Sequence, residues 1–128
     1  MKQPDTQRQT LSGHRLSRHA DYQIAYKAAR KFQSHLMSWF MAPRVSVAET
    51  ARVGLTAGKV LGPAHERNRI KRRMRDVLRK HTAELPAGCD LIFHPRRAVL
   101  NVEYGKLEAE VVRILAEARA QAERLPRQ

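Results

Sequence analysis

The chain has 128 residues, 42% of them hydrophobic and 29% charged, and its 25 Lys and Arg against 12 Asp and Glu give a formal charge of +13. That length suits one domain with a modest core; Cys89, the single cysteine, excludes an internal disulfide and makes a cytoplasmic setting the default, and no apolar run approaches the about 20 residues of a membrane-spanning helix. A surplus of one sign repels itself inside a folded chain, so it points to a polyanionic partner.

Residues 1–13 are polar, carry no periodicity and read as a flexible tail without the apolar segment of a secretory signal. Ser17 is the expected cap of a first helix over residues 18–29, where Tyr22, Ala25, Tyr26 and Ala29 recur at helical spacing. Residues 32–42, with Leu36, Met37, Trp39, Phe40 and Met41, predict one strand ended by Pro43. Residues 44–50 read as a connection, with a strand extension as the alternative because Val45 and Val47 alternate. Residues 52–58 predict a buried strand with Val53 and Leu55 on one side. A turn over residues 58–62 leads to Pro63 at the start of a second helix, residues 63–84, stopped by Pro86 and Gly88. Residues 89–94 predict a short strand closed by Pro95, with Cys89 as a small buried hydrophobe. Asn101 is the expected cap of a last helix, residues 102–123, whose Leu107, Val111, Ile114, Leu115, Ala118 and Ala122 form one stripe. Residues 124–128 read as a tail. The expected fold is α+β: a two-layer α/β sandwich over residues 14–123, one sheet of about four strands with three helices.

The second helix carries the strongest signal. Between Arg67 and Arg75, six of nine residues are Arg or Lys. On a wheel of about 100° per residue, Ile70, Met74, Val77 and Leu78 make a core stripe. Asn68, Arg72, Arg75 and Arg79 gather on the opposite side, flanked by Arg69 and Lys71. Solvated helices mix signs at i,i+4, and here only Glu66 and Asp76 supply acids. The planar fork of Arg holds a phosphate through two bonds, so the ridge suits successive phosphates of a folded nucleic acid. Catalytic chemistry is not legible. The six histidines show no metal-ligand spacing, no nucleophile elbow or phosphate-binding glycine loop is present, and the acids are scattered. A structured-RNA-binding protein without an attached enzyme remains open, as does a DNA-binding module, although a helix-turn-helix partner is lacking.

The stretch RVGLTAGKVLGPAHERNRIKRRMRD resembles the signature of the bacterial ribonuclease P protein subunit. Its core is Arg67-Asn68-Arg69 followed by Lys71, Arg72 and Arg75, with Arg52-Val53-Gly54-Leu55-Thr56, Lys59 and Gly62 at the family's spacing upstream. Leu16, Asp21, Tyr22 and Tyr26 resemble the family's first helix, which usually has Phe at the two aromatic places. DLIFHPRRAVL and VEYGKLEAEVVRIL resemble its last strand and helix, so the likeness spans residues 15–118. Val60 departs from a frequent second Lys, and Pro63 from a common Asn.

The resemblance implies a left-handed βαβ crossover and a small cytoplasmic partner of a catalytic RNA, with no membrane and no obligate protein partner. Together, RNA and protein would remove the 5′ leader from precursor tRNA with Mg²⁺ held mainly by the RNA. No residue of this chain would be catalytic. The resemblance and the wheel together assign Asn68, Arg69, Lys71, Arg72, Arg75 and Arg79 to the catalytic RNA. Tyr22, Tyr26 and Phe40 would stack on leader bases without choosing among them. Lys59 and Arg67 would meet leader phosphates, and Arg96 and Arg97 would extend the groove.

Overall fold

The computed structural model describes residues 11–44 and 49–125. Four strands form a single sheet: β1 (Arg30–Gln33), β2 (Met37–Pro43), β3 (Arg52–Leu55) and β4 (Cys89–Pro95). Their order is β1-β2-β4-β3, with β1–β2 and β2–β4 antiparallel and β3–β4 parallel. Three α-helices complete the described residues: α1 (His19–Ala28), α2 (Ala64–Lys80) and α3 (Tyr104–Glu123). The parallel pair is joined through α2, which makes β3–α2–β4 a βαβ unit. The α+β sandwich expected from the sequence is the fold observed.

Strand alternation sorts side chains between the two sheet faces. Met37, Trp39 and Met41 of β2, Val53 of β3, and Leu91 and Phe93 of β4 pack with α2 and α3. From α2 come Ile70, Met74, Val77 and Leu78, the stripe the wheel predicts, and from α3 come Leu107, Val111, Ile114, Leu115 and Ala118. The opposite face is smaller and holds α1, with Ala25 and Leu16 against Ala42 and Ile92. Among the described residues no helix is long and apolar enough to cross a membrane.

Several boundaries move. The single strand predicted over residues 32–42 is a hairpin, β1 and β2, turning at Ser34 and His35. The turn is fixed from across the core by Glu110 of α3, buried at 4% exposure, which accepts from the Leu36 N–H at 2.6 Å and from the Ser34 hydroxyl. Ser17 does not cap α1; Arg18 stands at that position, and its carbonyl takes the Tyr22 N–H at 3.1 Å. Strand β3 is shorter than predicted, although Thr56 N–H still reaches the Phe93 carbonyl at 3.0 Å. Helix α2 ends at Lys80 and gives way to a 3-10 turn at Thr82–Glu84. Asn101 does not cap α3 either, because a 3-10 turn at Arg97–Leu100 precedes it and Glu103 holds the cap position. The ordered chain reaches back before residue 14: Leu11 is buried in the core and Ser12–His14 form a 3-10 turn. Leu125 also packs on the core. The alternating Val45 and Val47 lie outside the described residues.

Candidate nucleic-acid interface

The cations of α2 divide by what they touch. Arg73 donates to the carbonyls of Val99 (2.7 Å), Leu100 (3.0 Å) and Val102 (2.5 Å), and so caps the turn that leads into α3. Arg79 is bonded to Asp76, three residues away on the same helix. Lys80 reaches the Tyr104 hydroxyl at 3.0 Å, which pushes its pKa up. Arg67 uses Nε to hold the Gly62 carbonyl at 3.1 Å. Glu66, the other nearby acid, is taken by Arg97 at 2.7 Å, and that hydrogen bond lowers the Glu66 pKa. The side chains of Asn68, Arg69, Lys71, Arg72 and Arg75 have no hydrogen-bond or ion-pair partner among the described residues. Five of the six residues assigned to a catalytic RNA thus present open donors, and Arg79 is partly neutralised.

The second constellation lies on the face that α1 covers. Register across the sheet sets Lys31, Phe40, Ile92 and Gly54 in one row, and Gln33, Ser38 and His94 in the next. Helix α1 lays Tyr22 over the β3 end of the first row. There the Tyr22 hydroxyl accepts the Leu55 N–H at 3.1 Å, and burial raises its pKa. Gly54 makes the approach possible: a Cβ at that position would lie 2.5 Å from the Tyr22 hydroxyl. One helical turn on, the Tyr26 ring stands 6.3 Å from Tyr22, 5.2 Å from Phe40 and 6.0 Å from His94, perpendicular to the last two. Lys31 Nζ sits 5.8 Å from the Phe40 ring centre. The three predicted aromatic residues therefore meet, and the rings of Tyr26 and Phe40 stay partly open to solvent.

A cationic pocket of about 220 Å³ joins the two constellations. Arg15, Ser17, Tyr22, Gly54, Lys71 and Arg75 line it, with Leu11, Leu16, Val53 and Leu55 beneath. Tyr22 is thus shared between the aromatic strip and the α2 cations. Lys59 and Arg67 do not join the rings through any hydrogen bond or ring contact. Lys59 is exposed on the 3-10 turn Lys59–Leu61, which follows β3 at the sheet end where His94 lies. Arg96 and Arg97, expected to widen the groove, are tied down instead. Arg96 donates to the Ser34 and His35 carbonyls at 2.6 and 3.0 Å, and Arg97 to the Leu61 carbonyl and Glu66.

A family model described as Ribonuclease P matches residues 12–119. The chain belongs to the ribonuclease P protein family. A relative from Desulfovibrio desulfuricans, named ribonuclease P protein component, is 30% identical over 116 residues, 88% of this chain and 85% of the relative. The ribonuclease P protein of Thermotoga maritima has the same fold, with a TM-score of 0.71 at 20% identity over 81% of this chain and 96% of that one. That of Staphylococcus aureus matches with a TM-score of 0.70 at 24% identity, over 83% and 95%. As a family member the chain is the protein part of a ribonucleoprotein endoribonuclease that matures the 5′ end of tRNA, and it has an RNA partner.

Sequence reasoning missed four site residues. Lys31, Gly54 and His94 acquire their places from strand register, and Arg15 from the pairing of Arg15 beside Val53. Alternation along residues 89–94 puts His94 and Ile92 on one face. It does not tell which helix covers that face.

Proposed function

We propose that this protein seats the catalytic RNA on Asn68, Arg69, Lys71, Arg72 and Arg75 of α2, and draws the single-stranded 5′ leader of precursor tRNA along the pocket and the Tyr22–Tyr26–Phe40 strip. The observation that carries the reading is the division of labour on α2. Arg73 is spent on the fold and Arg79 is answered by Asp76, while Arg69, Lys71, Arg72 and Arg75 have no acid to answer them among the described residues. Arginines left unpaired on a chain of charge +13 are stabilised by phosphates brought from outside. Rings with accessible faces then stack on unpaired bases regardless of sequence, worth about 1–3 kcal/mol per base. Lys59 lies at the far end of that track and meets leader phosphates there.

Chemistry belongs to the RNA in this reading. Among the described residues no three His, Cys, Asp or Glu side chains gather to hold a metal. Glu66 and Asp76 are both occupied by arginines. The described residues therefore do not fit a magnesium site, and Mg²⁺ is assigned to RNA phosphates. The setting is cytoplasmic, and no further protein partner is required.

The test is reconstitution with ribonuclease P RNA at low magnesium, measuring affinity for leader-containing precursor and for mature tRNA. The protein is expected to tighten binding of the precursor and leave mature tRNA little changed. Equal tightening of both would instead mean a general RNA-binding role.

A further inference from the structure

The leader trough contains one group that the reading above leaves unused. His94 is half-buried, and its Nε2 lies 2.7 Å from the Tyr26 hydroxyl. Its ring is 4.9 Å from Phe40, so imidazole, phenol and phenyl rings meet at one corner. Tyr26 is exposed on a ten-residue helix, and the contact with His94 is the only hydrogen bond of its side chain among the described residues.

Resting on the leader-binding reading, we propose that His94 is a positioning residue of the trough: it holds the Tyr26 ring upright against Phe40, and it takes up a proton from solvent when leader phosphates enter. The hydrogen bond survives that step. Neutral imidazole pairs with the phenol as donor or acceptor, and imidazolium donates Nε2–H to the phenol oxygen. The ring's surroundings favour the neutral form in the free protein. From α1 it faces Tyr26, from β2 Ser38 and Phe40, and from β1 the ammonium of Lys31. No carboxylate of the described residues faces it. Burial first, and then the Lys31 charge, set its pKa below the ordinary histidine value. Incoming phosphates oppose both effects by answering Lys31 and offering the imidazolium a counter-charge. Binding and protonation are then linked: leader affinity grows as the pH falls through the His94 titration, by up to about tenfold for each pKa unit that the leader restores.

The experiment uses the reconstituted ribonucleoprotein, with leader-containing and leaderless tRNA, between about pH 5.5 and 8. In the wild-type protein the leader's contribution is expected to rise severalfold toward low pH. His94→Gln, which does not titrate, should lose the rise toward low pH, whatever its affinity at high pH. Tyr26→Phe should weaken leader binding about threefold or more at every pH. The same pH profile in His94→Gln as in wild type overturns the inference, as does an unchanged affinity in Tyr26→Phe. As a measurement free of variants, the His94 imidazole followed by NMR should show a higher pKa with a leader oligonucleotide bound; an unmoved pKa also overturns it. If the leader adds nothing to wild-type binding at any pH, the function reading itself fails, which is a different result.

Discussion

Two arginines one residue apart on α2 have opposite fates. Arg72 points away from the core stripe and its side chain meets no partner among the described residues, whereas Arg73, about 100° round the helix, closes three main-chain carbonyls. Removing Arg73 leaves those acceptors without their charged donor. Arg73→Ala is therefore expected to cost about 2–3 kcal/mol of stability in urea unfolding. Arg72→Ala should stay within about 0.5 kcal/mol and lose affinity for the RNA instead. Equal stability losses would show that the two side chains are not divided as described. The wheel alone separates core from surface, so the stripe of Ile70, Met74, Val77 and Leu78 was legible in the sequence. Arg73's partners lie more than twenty residues away, and its task was not.

At the level of elements, the sequence showed the helices and two of the strands through periodicity, but merged β1 with β2. The missing break is the polar run Gln33-Ser34-His35, and what holds it as a hairpin is Glu110, brought from α3 by the packing of the whole core. No local pattern announces such a partner. The seating of α1 is equally non-local, since it depends on Gly54 in β3 leaving room for Tyr22. Gly54→Ala would set a methyl group 2.5 Å from the Tyr22 hydroxyl and 2.7 Å from the ring. The ring must move off the strand and give up the Leu55 N–H. The expected result is a leader-specific loss of about 1–3 kcal/mol, one stacking contact, with catalytic-RNA binding retained. Tyr22→Phe keeps the ring and should lose less. If Gly54→Ala bound leader as well as wild type, Tyr22 would be a packing residue only.

At the scale of the molecule, most acids of the described residues are tied into the fold, and cations of the outer face of α2 are left without an acid. Buried Asp90 is clasped by Arg52 through bonds of 2.8 and 2.9 Å, and Glu49 pairs with Arg44 at 2.7 Å. Glu66 holds Arg97, and Asp76 holds Arg79. Among the described residues, Arg69, Lys71, Arg72 and Arg75 of α2 lie in this unpaired set, and Lys71 and Arg75 line the pocket with Arg15. Binding driven by that remainder must release counterions from the RNA, so affinity falls steeply with salt. Each true phosphate contact contributes about 0.7–0.9 to the slope of log affinity against log salt. Arg72→Ala and Arg75→Ala should each lower the slope by about that amount. Arg79→Ala should lower it less, because Asp76 already answers that charge. Asp76→Asn removes the answer: Arg79 is released to the RNA, and the slope steepens. A titration of RNA affinity against salt for these four variants checks all of it. Equal slopes for Arg72→Ala and Arg79→Ala would mean that the Asp76 pair does not persist beside the RNA. Slopes unchanged from wild type in all four would mean that the ridge faces water.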